Sequence, residues 1–526
     1  MKAAARWSLI LIVVIAGAFL GRWWGNSSIE PESPPDQRLT ERQARFRTPE
    51  RPFDGKLTHR DDEAFRMDQT ALKKGALPNQ RVLRFSSRAA LEAFLRSIEG
   101  KGFVVLGSID ALNLLRIGFL DEDELAGLLS EDTEQEFIFP AYVPGNGTVQ
   151  EGAIGFGNNF LQWLGADGDR TGWGEGLRIA VLDTGVGDND QFSNSIVRKE
   201  LVELPENSSD LNGHGTAVAS IIASELGLAP DATILSYRVA DDGGSSNTFL
   251  IAQAIIEAAD AGADLINISL GTSSHSPTLQ QAVDYASNAG VVIVASSGNN
   301  GADSVAYPAA YENVVSVGAV DAKGDHLDFS NSGEVDLTAP GLALTSAWTD
   351  NQQVNFSGTS ASAPVVTGAI AAVMTTNQVG ATTAVGILTG QANDGGAPGY
   401  DPAYGAGYVD LGRAQRPATE PFTDVAIASN HFTTNEQGQP MVQVTIENRG
   451  TTQIINAPVT VNTPSGTQQM NITSLQPGAI QTFELPLPDT TDAVRVDSTV
   501  RVSNGGADQN VSNNSRTDVQ AAAESP

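Results

Sequence analysis

The chain has 526 residues, more than one hydrophobic core usually organises, so roughly two to four domains are expected; with 40% apolar and 18% charged residues it is not a disordered chain. A net charge of −31 argues against nucleic acid as a partner, because phosphate binding needs clustered Lys and Arg. The absence of cysteine excludes disulfides, thiolate metal sites and a cysteine nucleophile.

The first residues bear on location. Lys2 and Arg6 precede an apolar run over residues 9–20, which Arg22, Trp23 and Trp24 follow. A charged start before an apolar run is an export signal. Ala16-Gly17-Ala18 could serve a signal peptidase, whereas Trp7 and Trp23-Trp24 bracket the run as interfacial anchors do. Residues 1–24 are therefore expected to be a signal peptide or a membrane anchor. The rest of the chain would then be exported, extracellular or held at the cell envelope. Residues 25–80 are rich in Pro, Arg, Asp and Glu without sustained periodicity, and fit a solvated linker.

The pattern changes at Arg81. Residues 82–85 fit a strand, 88–99 a helix, 103–106 and 112–117 strands, 121–129 a helix opening with acids, and 137–139 a last strand. The order βαββαβ is the ferredoxin-like α+β arrangement, expected over residues 81–145.

Residues 150–417 alternate apolar strands with helices. The runs at 178–182, 233–237, 265–268, 291–295 and 314–317 are short and nearly all apolar, the mark of strands covered on both faces. Helices fit between and after them, at 215–225, 248–261, 277–289 and 363–375, so an α/β fold with a mostly parallel sheet and helices on both faces is expected. Residues 151–420 carry 31 Asp and Glu against 8 Lys and Arg, which makes this part strongly acidic and soluble. Residues 420–521 return to short strands punctuated by Gly, Asn and Pro, with few aromatics, as in a small β-sandwich.

Three segments stand at the edges of these elements. Asp183 follows strand 178–182 at once, His214 opens an apolar helix in Gly213-His214-Gly215-Thr216, and Ser360 lies at the mouth of another in Ser357-Gly358-Thr359-Ser360. A serine hydroxyl is a weak nucleophile until an imidazole takes its proton, and the imidazole needs a carboxylate to hold its tautomer. A helix N-terminus adds free N–H groups for developing negative charge. Each segment alone fits a turn, a structural histidine or a plain helix cap. In the order Asp, His, Ser they match the chain order of subtilisin.

Residues 175–415 resemble the subtilisin-like (subtilase) serine peptidases along essentially their whole length. Beyond the three segments, Asp264-Leu265-Ile266-Asn267-Ile268-Ser269-Leu270-Gly271 is similar to the family's substrate-wall strand, and residues 291–299, ending in Ser297-Gly298-Asn299, to the strand that leads to its oxyanion residue. The resemblance implies an exported endopeptidase acting on proteins or peptides through Asp183, His214 and Ser360 and an acyl-enzyme. It implies that Asn299 donates its amide to the oxyanion, with the Ser360 N–H as partner. Ser269, Leu270 and Gly271 would line one side of the substrate cleft, and Gly243, Gly244 and Ser245 the other, so that an extended peptide adds a strand to each. Residues 81–145 resemble the family's propeptide, an intramolecular chaperone and inhibitor whose last strand would bring residues 137–143 to the cleft. The C-terminal sandwich resembles Ig-like accessory modules. No cofactor is required. Calcium is possible but without a defined site: the run 214–230 leaves no room for the family's tight calcium loop, and Asp188-Asn189-Asp190 fits either an exposed turn or a hard-cation site. Asp183-Thr184-Gly185 is also the signature of aspartic peptidases, but no second copy exists in the chain. A surface-binding protein with an inert peptidase domain is the other alternative, and such relatives usually lose a triad member. None is missing here.

Overall fold

The structure is a computed structural model that describes residues 71–145, 147–166, 168–192, 196–204, 212–416, 421–435, 437–490, 492–503 and 507–520. The expected signal or anchor segment and residues 25–70 of the linker lie outside the described residues. Among those described, one helix, Thr359–Asn377, is long and apolar enough to cross a membrane, and it is buried in the core.

The first sheet has β1 (Gln80–Arg84), β2 (Val104–Ile109), β3 (Leu114–Gly118) and β4 (Glu134–Glu136), in the order β2-β3-β1-β4, with helices α1 (Arg88–Ile98) and α2 (Glu122–Ala126). β1 runs antiparallel to both β3 and β4, which is the ferredoxin-like topology. Boundaries shift by up to three residues from expectation, as where the helix expected over 121–129 covers Glu122–Ala126, and two differences bear on the site. The last strand is Glu134–Glu136, not residues 137–139, because the chain leaves the sheet there to pair elsewhere. Residues 71–79, assigned to the linker, are packed: Ala71, Ala76 and Leu77 are buried, and the Leu77 N–H donates to the Ile138 carbonyl.

Strand alternation divides this sheet's side chains between two cores. Leu83 and Leu115 face α1 and α2, joining Leu91, Phe94 and Leu125. Val82 and Leu114 point the other way and share a core with Phe249, Ile251 and Leu279 of the large unit. The small sheet therefore has its second apolar face covered only by the rest of the chain.

The large unit is built on seven parallel strands: β6 (Arg178–Asp183), β7 (Ile196–Glu200), β8 (Thr233–Arg238), β10 (Leu265–Ile268), β11 (Val292–Ser296), β12 (Val314–Val320) and β13 (Leu337–Pro340), ordered β13-β12-β11-β10-β6-β8-β7. Helices α3 (His214–Ala223) and α6 (Thr359–Asn377) lie in the core on one face; α4 (Thr248–Asp260) and α5 (Pro277–Asn288) lie in that on the other. An antiparallel pair, β14 (Leu344–Ala347) and β15 (Gln353–Phe356), leads into α6. Strand order reverses beside β6, and in open α/β sheets sites form beyond the carboxyl ends of the strands near such a point.

The C-terminal unit is a β-sandwich. β16 (Val425–Thr434), β17 (Pro440–Asn448) and β20 (Ile480–Pro486) form one sheet; β18 (Ile454–Thr463), β19 (Gly466–Leu475), β21 (Val494–Val500) and β22 (Ser515–Gln520) form the other. Val444, Ile446, Val459, Val461 and Val496 meet between them. No apolar pattern announces β19 or β22, because β19 is polar along most of its length and β22 buries none of its residues.

This sandwich is joined to the large unit by buried charge. Glu447, at the end of β17, accepts from Arg413 (3.0 Å) and from Arg449 (3.0 Å), and Arg449 reaches the Tyr408 hydroxyl (3.0 Å). Asp394 lies beside this group, 5% exposed, with Oδ2 buried and unpartnered. Burial and the Glu447 carboxylate push its pKa up to about 7. The folded chain therefore keeps a proton that an unfolded Asp, near pKa 3.9, has released, so stability falls as pH rises from about 4 to about 7 and stays reduced above that. Asp394→Asn should abolish this loss. Thermal unfolding is expected to show a larger gain in Tm for the variant at pH 8 than at pH 5, and equal gains would contradict the assignment.

Candidate active site

The ends of β6, α3 and α6 converge. Asp183 is the last residue of β6, His214 the first of α3, and Ser360 the second of α6, and each is 1% exposed or less. The His214 Nδ1 lies 2.8 Å from Asp183 Oδ1, which also accepts from the Thr184 N–H at 2.7 Å. Asp183 Oδ2 is buried with no protein partner. The imidazole is held edge-on to the Phe356 ring, with centroids 5.0 Å apart. The Ser360 hydroxyl donates to the Ser269 carbonyl at 3.3 Å, and no hydrogen bond joins it to His214.

Sequence explains much of this local geometry. Pro364 lies inside α6 and has no N–H to give to the Ser360 carbonyl four residues earlier. That carbonyl accepts instead from the Ser269 hydroxyl at 3.2 Å, which ties α6 to the segment after β10. Gly358, at φ +119°, admits no side chain: a Cβ there would lie 2.6 Å from Asn299 Nδ2. Asn299 is anchored through its oxygen, which accepts from the Thr359 N–H (2.9 Å) and hydroxyl (2.7 Å), so its Nδ2 is free to face the cleft.

The cleft is occupied by the chain itself. β5 (Pro140–Tyr142) pairs antiparallel with β9 (Ser245–Asn247), placing Tyr142 opposite Ser245 and Ala141 opposite Ser246. On the other side Tyr142 and Gly271 exchange both backbone hydrogen bonds, each 2.9 Å. The Val143 N–H donates to the Gly244 carbonyl at 2.9 Å, and Asn299 Nδ2 donates to the Gly145 carbonyl at 3.1 Å. Of the expected cleft residues, Gly244, Ser245 and Gly271 thus touch the inserted strand. Gly243 and Leu270 do not pair with it: the Gly243 N–H is used by the Asp241 carboxylate, and Leu270 is fully buried in the core. Ser269 contacts Ser360.

Sequence reasoning misses Ser246 and Asn247, although Asn247 caps α4 through the Leu250 N–H and so marks the end of this edge. Residues 302–307 line a recess of about 1020 Å³ with Thr272, Asn299 and Asn331. Asp188 pairs with Arg198 at 2.8 Å and Asn189 donates to the Trp348 carbonyl, so this turn is tied by protein contacts. Among the described residues no group of three or more His, Asp or Glu could hold a metal ion.

Outside the cleft, Glu136 joins the small sheet to α5. Its carboxylate accepts from the Ser276 hydroxyl (2.6 Å) and from the Thr278 N–H (2.9 Å) and hydroxyl, at the positive end of the helix.

Comparison with known proteins points one way. The profile of the subtilase family, peptidase S8, matches residues 174–407. A thermophilic serine proteinase of Bacillus sp. (strain AK1) is 36% identical over 315 residues, covering 56% of this chain and 78% of its own length. Subtilisin Savinase of Lederbergia lenta is 37% identical over 252 residues, covering 46% of this chain and 92% of its own. The crystal structure of the epidermin leader peptide processing serine protease of Staphylococcus aureus shares the fold with a TM-score of 0.53 at 22% identity, covering 65% of this chain and 98% of that one.

Proposed function

The chain belongs to the subtilase family and is a subtilisin-like serine endopeptidase, and we propose that it cleaves peptide bonds through Asp183, His214 and Ser360, is exported, and matures by cutting itself. The observation that carries this is the 2.8 Å contact between Asp183 and His214 at the mouth of the helix bearing Ser360, with Asn299 aimed into the same cleft.

In the proposed reaction His214 takes the Ser360 proton as the hydroxyl attacks the substrate carbonyl. Asp183 holds the Nδ1–H tautomer and stabilises the imidazolium. The hydroxyl, now turned to Ser269, must rotate toward His214 Nε2, and such bonds commonly tighten only with substrate bound. The carbonyl oxygen becomes an oxyanion held by the Asn299 amide and the Ser360 N–H at the start of α6. The imidazolium then protonates the leaving amine, and water resolves the acyl-enzyme by the same route reversed. No organic cofactor takes part.

Residues 71–145 act, in this proposal, as the propeptide. Three observations support it: β5 fills the cleft as an added strand, Glu136 caps α5, and the small sheet lacks cover for one apolar face without the large unit. Because Asn299 reaches the Gly145 carbonyl, the bond addressed is that between Gly145 and Asn146, the latter outside the described residues. Wild-type protein is expected to yield a mature chain that starts at Asn146, whereas Ser360→Ala should remain joined. Mass spectrometry and N-terminal sequencing of both decide this. A new N-terminus outside residues 141–160, or the same cut in Ser360→Ala made in a protease-free host, would refute self-cleavage.

A further inference from the structure

We propose that Arg238 is a positioning residue, a buried cation that sets Asp183, His214 and one edge of the cleft relative to one another; this rests on Asp183 and His214 acting as members of the triad.

Arg238 is the last residue of β8 and lies directly beside Asp183 on β6. It heads the fully buried side chains by size, at 0% exposure. A guanidinium stays charged under all protein conditions, so burying one is tolerated only where its N–H groups are used. Here one nitrogen donates to the Thr184 carbonyl and to Asp242 Oδ1 (3.3 Å); the other donates to Asp242 Oδ2 (2.8 Å) and the Glu203 carbonyl (3.2 Å). Nε makes no hydrogen bond and lies 3.9 Å from the Glu200 carboxylate.

The two arms lead to different parts of the site. Through Thr184 the guanidinium holds the residue whose N–H binds Asp183 Oδ1, and whose hydroxyl accepts from the Gly215 N–H and donates to the Asn212 carbonyl, each at 3.0 Å. Through Asp242 it holds Asn212 a second time, since Asp242 Oδ1 accepts from the Asn212 N–H at 2.9 Å. The Asn212 side chain in turn accepts from the His214 N–H at 3.0 Å. Asp242 also precedes Gly243-Gly244, and the Gly244 carbonyl binds the inserted strand at Val143. A two-pronged guanidinium–carboxylate pair fixes direction as well as distance, which a lysine ammonium cannot do. Small misplacements of catalytic groups are costly, so this fork bears on turnover rather than on stability alone.

The test uses the full chain, matured, with active sites titrated by a fluorophosphonate, and compares kcat and KM on one soluble peptide. Arg238→Met is expected to lower kcat per titrated site by about 10–100-fold, while KM moves less than about threefold. Arg238→Lys should restore part of the loss. Asp242→Asn, close in shape to the native residue, should lower kcat at least about fivefold, and the double variant Arg238→Met with Asp242→Asn should be no slower than Arg238→Met alone, because both act through one network. The proposal is overturned if Arg238→Met keeps kcat within about twofold of wild type, or if the two losses multiply. Should Arg238→Met fail to mature, an unchanged kcat in Asp242→Asn overturns it equally. Ser360→Ala separates the two levels: activity in that variant would sink the triad, whereas an inactive Ser360→Ala beside fully active Arg238 variants would sink only this proposal.

Discussion

Ser360→Ala is expected to abolish peptide hydrolysis while leaving the fold intact, which a cooperative thermal unfolding transition of the uncut variant would show. The side chain is 1% exposed, and its hydroxyl makes one long hydrogen bond, 3.3 Å to a carbonyl, so its removal costs the fold little. Alanine is a good helix residue and fits the close-packed start of α6, where Ala361 and Ala363 are already fully buried. Chemistry loses its only proposed nucleophile. The size of the loss, about 10⁶-fold in kcat, is the value known for a subtilisin itself, a member of the same family. His214→Ala should be about as damaging, since nucleophile and base act as a unit. Turnover per folded molecule above a few per cent of wild type in Ser360→Ala would end this mechanism.

Glu447→Ala is expected to cause the largest loss of stability. The variant would leave Arg413 and Arg449 facing each other with 8% and 7% side-chain exposure and no carboxylate between them. Burial by itself raises the Glu447 pKa, but Arg449 and Arg413 outweigh it and hold the carboxyl below its usual range. Breaking such a buried group by removing one partner typically costs about 3–5 kcal/mol. That is a large share of the roughly 5–15 kcal/mol that holds an ordinary domain folded. The loss should fall on the joint between the sandwich and the large unit, because Arg413 belongs to the short helix Leu411–Ala414 while Glu447 lies near the end of β17 and Arg449 directly follows that strand. Calorimetry is expected to show the sandwich melting separately and earlier. Replacing all three charges together by Met, Leu and Met should recover much of the loss, because it removes the unpaired charge as well as the pair. A change below about 1 kcal/mol in Glu447→Ala would show that the group contributes nothing measurable.

Much of the fold was legible in the sequence by itself. Apolar runs at 178–182, 233–237, 265–268, 291–295 and 314–317 coincide with five of the seven parallel strands within a few residues. They are readable because a strand covered on both faces is apolar at nearly every position, with only isolated exceptions such as Ser236 and Asn267. Edge strands escape this rule: β7 is exposed at four of five positions and β19 along most of its length, so neither carries a run that composition could mark. Asp183, His214 and Ser360 stood out in the sequence at the edges of expected elements, whereas Asn299 entered only through the resemblance to the family; the structure brings all four to one cleft, where their roles are those proposed above.

Tertiary structure alone decided the rest. No local pattern tells that Asn299 faces Gly145, because that register depends on β5 pairing with β9 and with Gly271 from two distant segments at once. Nor does any pattern reveal that Arg238 is fully buried beside Asp183, or that Glu447 joins two units through Arg413 and Arg449. In sequence each is a charged residue that most often faces solvent. A buried charge is defined by partners from elsewhere in the chain, and those partners exist only once the sheet has ordered its strands. Hydrophobic pattern is a local property and survives in one dimension; electrostatic satisfaction is a property of the assembled neighbourhood and does not.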